Sequence, residues 1–210
     1  KKYLQAAIQG ADWYVENAVK KGHFLGVCGD TRFVPDFATA QSVQALLELY
    51  HVTGNEKYKE AAISAAKIYT ASVYTHPIPT SVVKQVKGVE RKDWEISQVG
   101  LSFEHGGVAG AANGRGARLL ASRAGMCVRM YRLTKDSLFL NMARAAAIGR
   151  DAFVDFKTGV ASYYWDSMNN GAGPYPHHAW WQVGWITDYL LSEISLRSNN
   201  GITYPGGFIT

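Results

Sequence analysis

Alanine and other apolar residues recur along the chain in a pattern that repeats at a fixed offset. Residues 45–73 align without gaps on residues 126–154, with Tyr50 on Tyr131. The other identical pairs are Thr53 and Thr134, Ala62 and Ala143, Ala65 and Ala146, Ala66 and Ala147, Ala71 and Ala152, and Val73 and Val154. Because a long internal repeat constrains architecture before any single motif does, the pattern predicts tandem helical hairpins.

The start of the chain carries part of the same repeat, since residues 3–15 align on residues 58–70. Each unit is predicted to hold a helix A, a tight turn and an alanine-rich helix B that neighbouring helices can approach closely. Asn55 and Asp136 are predicted to cap the two internal B helices. The predicted helices are B at 1–19, A at 38–52, B at 56–74, A at 115–133, B at 137–154 and A at 178–197.

This order begins with a B helix that lacks its A helix and ends with an A helix that lacks its B helix. We therefore expect residues 1–210 to form a single all-α domain that is part of a longer chain, or that is completed by a second copy. The turns from A to B are short, whereas the links from B to A run over residues 20–37, 75–114 and 155–177. Links of this length commonly carry sites, and these three are predicted to lie together at the N-terminal ends of the A helices.

Composition narrows the class of function. No apolar run approaches the roughly 18 residues of a membrane-spanning helix. The net charge of +5 suits an acidic partner, but the basic residues are scattered and no nucleic-acid-binding motif is present. Neither Cys28 nor Cys127 has the spacing of a metal site, and both are predicted to be free and buried. The sequence therefore predicts no nucleic-acid partner, no metal and no cofactor.

Two segments resemble known glycan-degrading proteins. Residues 97–116, SQVGLSFEHGGVAGAANGRG, and residues 173–191, GPYPHHAWWQVGWITDYLL, are similar to segments of (α/α) toroid proteins from gut Bacteroidetes. Together with the hairpin pattern, they resemble the six-hairpin glycosidases and the related polysaccharide lyases. The resemblance implies a toroid fold, a carbohydrate substrate and a periplasmic or secreted location. A complete ring of this family has twelve helices, and this chain is predicted to supply six.

The candidate catalytic residues are acidic or imidazole side chains in the long links. Glu104 beside His105 combines a proton donor with a positioning group. The other candidate carboxylates in these links are Asp30, Asp36, Asp93, Glu95 and Asp166, and Asp36 also fits a helix cap. A glycosidase needs two carboxyl groups, about 5 Å apart for retention or about 6.5–9.5 Å apart for inversion. The sequence does not choose the pair, and we take Glu104, His105, Asp93 and Asp30 as the candidate catalytic residues.

Aromatic residues are frequent in the same links, and such rings stack on the apolar faces of sugars. The predicted substrate-binding residues are Trp94, Asn113, Arg115, Tyr163, Tyr164, Trp165, Asp166, His177, His178 and Trp180. By contrast, Trp185 and Tyr189 lie at helical spacing and are predicted to belong to the core.

Three functions remain open on the sequence. The first is a glycoside hydrolase with Glu104 or Asp93 as proton donor. The second is a polysaccharide lyase, in which Asn113 or Arg115 neutralises a uronate and His105 or Tyr163 removes the adjacent proton. The third is a helical module that binds glycan without catalysis.

Overall fold

The computed structural model describes residues 1–25, 34–86, 88–103, 119–121, 123–151 and 179–198, and these residues are mostly helical. The helices are α1 (Lys2–Tyr14), which continues into a π-helical turn (Val15–Val19), α2 (Asp36–Thr53), α3 (Glu56–Thr70), α4 (Ala124–Thr134), α5 (Ser137–Asp151) and α6 (Ala179–Arg197). The strands are β1 (Val83–Val86), β2 (Val89–Lys92), β3 (Leu101–Phe103) and β4 (Leu119–Ala121), with a 3₁₀ turn at Asp93–Ile96. The predicted mostly helical class and the helical hairpins are confirmed.

The two internal hairpins turn in the same way. The residue after the A helix has a left-handed backbone in both, Gly54 at φ 67° and Lys135 at φ 61°. The cap that follows is also shared, because the side chains of Asn55 and Asp136 accept the amides two residues onward at 3.1 and 3.0 Å. Both predicted caps are therefore confirmed, and the repeat in sequence is a repeat in backbone geometry.

The core lies where the hairpins meet. Helix α2 packs on α3, α4 packs on α5, and α6 packs on α4. The alanine-rich face of α3 is confirmed as a contact face, since Ala62, Ala65 and Ala66 are fully buried. Phe139 and Met130 fill the equivalent space between α5 and α4.

Short strands lie in the long link between α3 and α4. Strands β1 and β2 form an antiparallel hairpin in which Val83 pairs with Lys92, and β3 pairs antiparallel with β4, Leu101 opposite Ala121. Residues 99–101 then lie directly on α5, so that a Cβ on Gly100 would meet the Ala145 carbonyl oxygen at 1.9 Å. Only glycine fits there, and its φ of 81° gives a second reason.

Two predicted helix boundaries are wrong. The A helix predicted at 115–133 begins at Ala124, because the apolar run Leu119–Ala121 pairs with β3 as a strand instead of continuing the helix. The B helix predicted at 56–74 ends at Thr70, and the chain turns so that Tyr74 exchanges backbone hydrogen bonds with Gly100 and Leu101 at 2.7 and 2.9 Å. In both places, pairing with a distant segment overrides the local helical pattern.

Candidate functional site

Most of the predicted site residues lie outside the part of the chain that the structure describes. Of the candidate catalytic residues, Asp93 is described, and Asp30, Glu104 and His105 are not. Of the candidate substrate-binding residues, Trp94 is described, and Trp180 lies in the first turn of α6 with its side chain undescribed. The others outside the described residues are Asn113, Arg115, Tyr163, Tyr164, Trp165, Asp166, His177 and His178, together with Cys28.

Asp93 begins the 3₁₀ turn after β2, and its side chain is held by neighbouring groups. One carboxylate oxygen accepts the Thr80 amide at 2.8 Å and the Thr80 hydroxyl at 3.2 Å, and the other oxygen pairs with the Lys84 ammonium on β1. The Lys84 ammonium, followed by the Thr80 amide, lowers the pKa of Asp93 below its ordinary value of 3.8. An ionised Asp93 can act as an ion-pair partner or as a base. It is poorly suited to the role of proton donor that the sequence analysis considers.

The two residues after Asp93 are also engaged locally. Glu95 is 7% exposed and accepts the Lys92 amide at 2.5 Å, which closes the 3₁₀ turn. Trp94 is half-buried, with the Lys92 ammonium 6.0 Å from its ring centroid. Both carboxylates of the segment Asp93–Ile96 therefore stabilise the link itself.

Asp36 lies at the first turn of α2 and is completely buried. Its side chain does not cap α2, since the cap position is Pro35, and its Oδ2 accepts the Tyr69 hydroxyl at 2.8 Å and the Ser102 hydroxyl. The interpretation of Asp36 as a helix cap is therefore wrong. The bonds tie the start of α2 to the end of α3 and to β3, through partners that are 33 and 66 residues away in sequence.

Arg123 immediately precedes α4 and is 1% exposed. Its guanidinium lies between two rings, 4.7 Å from the Phe37 centroid on α2 and 4.6 Å from the Trp185 centroid on α6. Such stacking is favourable for a planar cation, and more so in a buried setting. This stack brings together the first turns of α2 and α4 and the second turn of α6, the three A helices of the array. Trp185 is buried and Tyr189 packs partly buried on the core, as predicted.

Cys127 lies in the first turn of α4 and is buried, as predicted. Burial first, and then the charge of Asp36, raise the pKa of the thiol to about 12. A thiol in this state is protonated at physiological pH and is a poor nucleophile.

A polar network joins the A helices further along their length. Arg129 on α4 makes a two-pronged ion pair with Asp188 on α6, at 2.7 and 3.2 Å, and donates to Ser192 at 3.0 Å and to Gln44 on α2 at 3.0 Å. Gly125 makes room for it, since a Cβ there would lie 2.1 Å from an Asp188 carboxylate oxygen. No local sequence pattern signals this network, because the partners of Arg129 lie 59 to 85 residues away from it.

Arg91 on β2 differs from these paired cations. It is 8% exposed, and within the described structure its buried Nε has no hydrogen-bond partner. Its cross-strand neighbour on β1 is another cation, Lys84. The nearby carboxylate of Asp93 forms its ion pair with Lys84. Since a buried polar group is costly without a hydrogen-bond partner, the Nε of Arg91 is suited to an added acceptor such as an anionic group.

The described residues contain no group of three or more His, Cys, Asp or Glu side chains placed to hold a metal ion. Across the same residues, every helix is too short or too polar to cross a membrane. Comparison of the chain with protein-family models, with curated proteins and with solved structures finds no match.

Proposed function

We propose that the protein is a carbohydrate-active enzyme of the (α/α) toroid kind, and most simply a glycoside hydrolase. The observation that carries the proposal is the stack of Phe37, Arg123 and Trp185. Residues 26–33, 104–118 and 152–178 precede α2, α4 and α6, so the stack brings their C-terminal attachment points to one end of the helices. Those three segments hold most of the predicted acidic and aromatic site residues.

The contacts of the described carboxylates narrow the choice of proton donor. Asp36 is buried beneath two hydroxyls, Glu95 accepts a backbone amide, and Asp93 pairs with Lys84. Glu104 is then the preferred donor, with His105 beside it as positioning group and Asp30 or Asp166 as the second carboxylate. The aromatic residues at 163–165 and Trp180 would stack on the sugar rings.

The test is to incubate the full chain with a panel of neutral and uronate-containing polysaccharides while following new reducing ends. We expect reducing ends to form, and the Glu104→Gln variant to lose at least about a hundredfold in rate, as for loss of a general acid. Glu90→Gln is the matched control, because Glu90 is an exposed carboxylate on β2 whose bonded neighbour is Gln85. Equal activity of Glu104→Gln and the control would contradict the assignment of the donor.

A polysaccharide lyase is the second candidate. It is favoured by Arg91, whose buried Nε has no hydrogen-bond partner among the described residues, and by the net charge of +5. A lyase leaves an unsaturated uronate that absorbs ultraviolet light, whereas hydrolysis of a saturated glycan produces reducing ends without that absorbance. Recording both signals in the same reaction separates the two enzymes. A folded chain that binds a glycan and gives neither signal would be a binding module, and both enzyme proposals would fall.

A further inference from the structure

Helix α1 exposes the face that the other two B helices bury. The first matched position is Tyr3 in α1, Tyr58 in α3 and Phe139 in α5, and these side chains are 88%, 2% and 0% exposed. A second matched position is exposed at Ala7 in α1 and fully buried at Ala62 and Ala143. No residue of α1 is buried, although its sequence follows the B-helix pattern. The face therefore has the sequence of a contact surface, and no described residue covers it.

Helix α3 shows what covers such a face. Its own A helix, α2, packs along it, and the π-helical turn that continues α1 contacts one side. The contact between the two B helices is specific, because the Tyr58 hydroxyl donates to Asp12 of α1 at 2.8 Å and Lys57 pairs with the same carboxylate at 3.0 Å. In α3, an A helix and a preceding B helix thus cover the face together.

Helices α5 and α6 offer such a pair of helices. Helix α6 is an A helix that exposes Leu190 at 52% and Ile194 at 48%, four residues apart on one face. The adjacent α5 exposes Ile148 at 38%, in the repeat position that Asp12 holds in α1. Within one chain, Asp12 contacts Tyr58 of the next B helix. The same contact made by α5 would place Ile148 against the residue in the Tyr58 position, which is Tyr3 in α1 of another copy. That contact would be apolar and would replace the hydrogen bond.

We propose that α1 of one chain packs on α5 and α6 of a second copy of the same chain, as α3 packs on α1 and α2 within one chain. The two surfaces are different, so the contact is head-to-tail. This inference does not depend on the proposed function, since none of the residues involved is a candidate for chemistry.

Sedimentation of the full chain over a range of concentrations tests the contact. We expect the wild type to form dimers or longer oligomers. Tyr3→Glu on α1 and Leu190→Glu on α6 should each raise the dissociation constant at least about tenfold, equivalent to about 1.4 kcal/mol. Val52→Glu is the control, because Val52 is 68% exposed on α2 and belongs to neither surface. All three side chains are exposed, so the folded helix content should be unchanged by circular dichroism.

Mixing the two variants distinguishes head-to-tail contact from a symmetric one. A chain with Tyr3→Glu keeps its α5 and α6 surface, and a chain with Leu190→Glu keeps its α1 surface, so the mixture should regain a 1:1 dimer that neither variant forms alone. A symmetric contact between two α1 helices would not be restored by mixing, and that outcome would overturn the proposal. A wild-type chain that stays monomeric up to about 0.1 mM would overturn it too, as would oligomers that neither surface variant weakens.

Discussion

Lys135 occupies a backbone conformation that suits glycine. Its φ of 61° matches the 67° of Gly54 at the equivalent turn, and a side chain in this region costs about 1 kcal/mol. We expect Lys135→Gly to raise the free energy of unfolding by about 0.5–1 kcal/mol, measured by urea denaturation. Lys135→Ala is the control, since it removes the same charge and keeps the strained Cβ. A gain that is equally large in Lys135→Ala would contradict this explanation.

Cys127 should be inert in the folded protein. Its thiol is buried with a pKa of about 12, so almost no thiolate exists near neutral pH. We expect iodoacetamide at mildly alkaline pH to leave the Cys127 peptide unmodified, as read by mass spectrometry, until denaturant is added. Rapid native-state labelling of that peptide would show that the first turn of α4 opens readily.

Single residues differ in how far the sequence reveals their role. The caps Asn55 and Asp136 were predictable, because each bonds an amide two residues away. Asp36 was misinterpreted and Arg123 was missed, because the groups that contact them come from distant elements. No local pattern encodes a carboxylate that meets Ser102, 66 residues later.

At the scale of elements, two helical glycines make a matched pair. A Cβ on Gly149 in α5 would lie 2.4 Å from the Val99 carbonyl oxygen, whereas a Cβ on Gly10 in α1 meets nothing within 4 Å. We expect Gly149→Ala to destabilise the protein by about 1–3 kcal/mol through overpacking. Gly10→Ala should instead stabilise α1 by about 0.5–1 kcal/mol through helix propensity. Thermal unfolding of the two variants checks this contrast, and a stabilised Gly149→Ala would mean that residues 99–101 do not lie on α5 as described.

The β1–β2 hairpin should depend on pH through Asp93. Its pKa is lowered in the fold, so its contribution is fully present above the ordinary value of 3.8 and is lost as the pH falls through the lower folded value. We expect Asp93→Asn to be less stable than the wild type at neutral pH, with the difference shrinking as the wild-type carboxylate becomes protonated. Urea denaturation across this range measures it. In a Lys84→Met background the neutral-pH difference should be smaller, and an unchanged difference would assign the effect to Thr80 instead.

The helices were more predictable than the strands, for a physical reason. The hairpins repeat in sequence and are closed by local turns, so each copy supports the interpretation of the other. The strands are three or four residues long, and β4 pairs with a segment that ends 16 residues earlier. Leu119 and Leu120 are compatible with a helix as well as with a strand when the partner strand is unknown. The predicted start of α4 was therefore too early.

At the scale of the whole molecule, the pattern predicted which faces meet and left their arrangement open. The buried alanine faces of α3 and α5 and the burial of Trp185 followed from helical spacing, whereas the matching face of α1 is exposed. The convergence of three A helices on Arg123 did not, since it depends on how successive hairpins rotate relative to one another. The candidate residues in the long links were chosen by residue type alone. Residue type does not determine where a link places its side chains, so the sequence does not show which candidates come together.

The lack of any buried residue in α1 has a consequence for local opening. In a linear array, each unit is stabilised by its neighbours, so a helix with a bare face has a low free energy of opening. We expect backbone amides of α1 to exchange with deuterium much faster than those of α3, measured by mass spectrometry on dilute protein. If a second copy covers this face, the exchange of α1 should slow as the protein concentration rises while that of α3 stays constant. The protection of α1 would then report on self-association, and an exchange rate in α1 independent of concentration would show that its face stays in water.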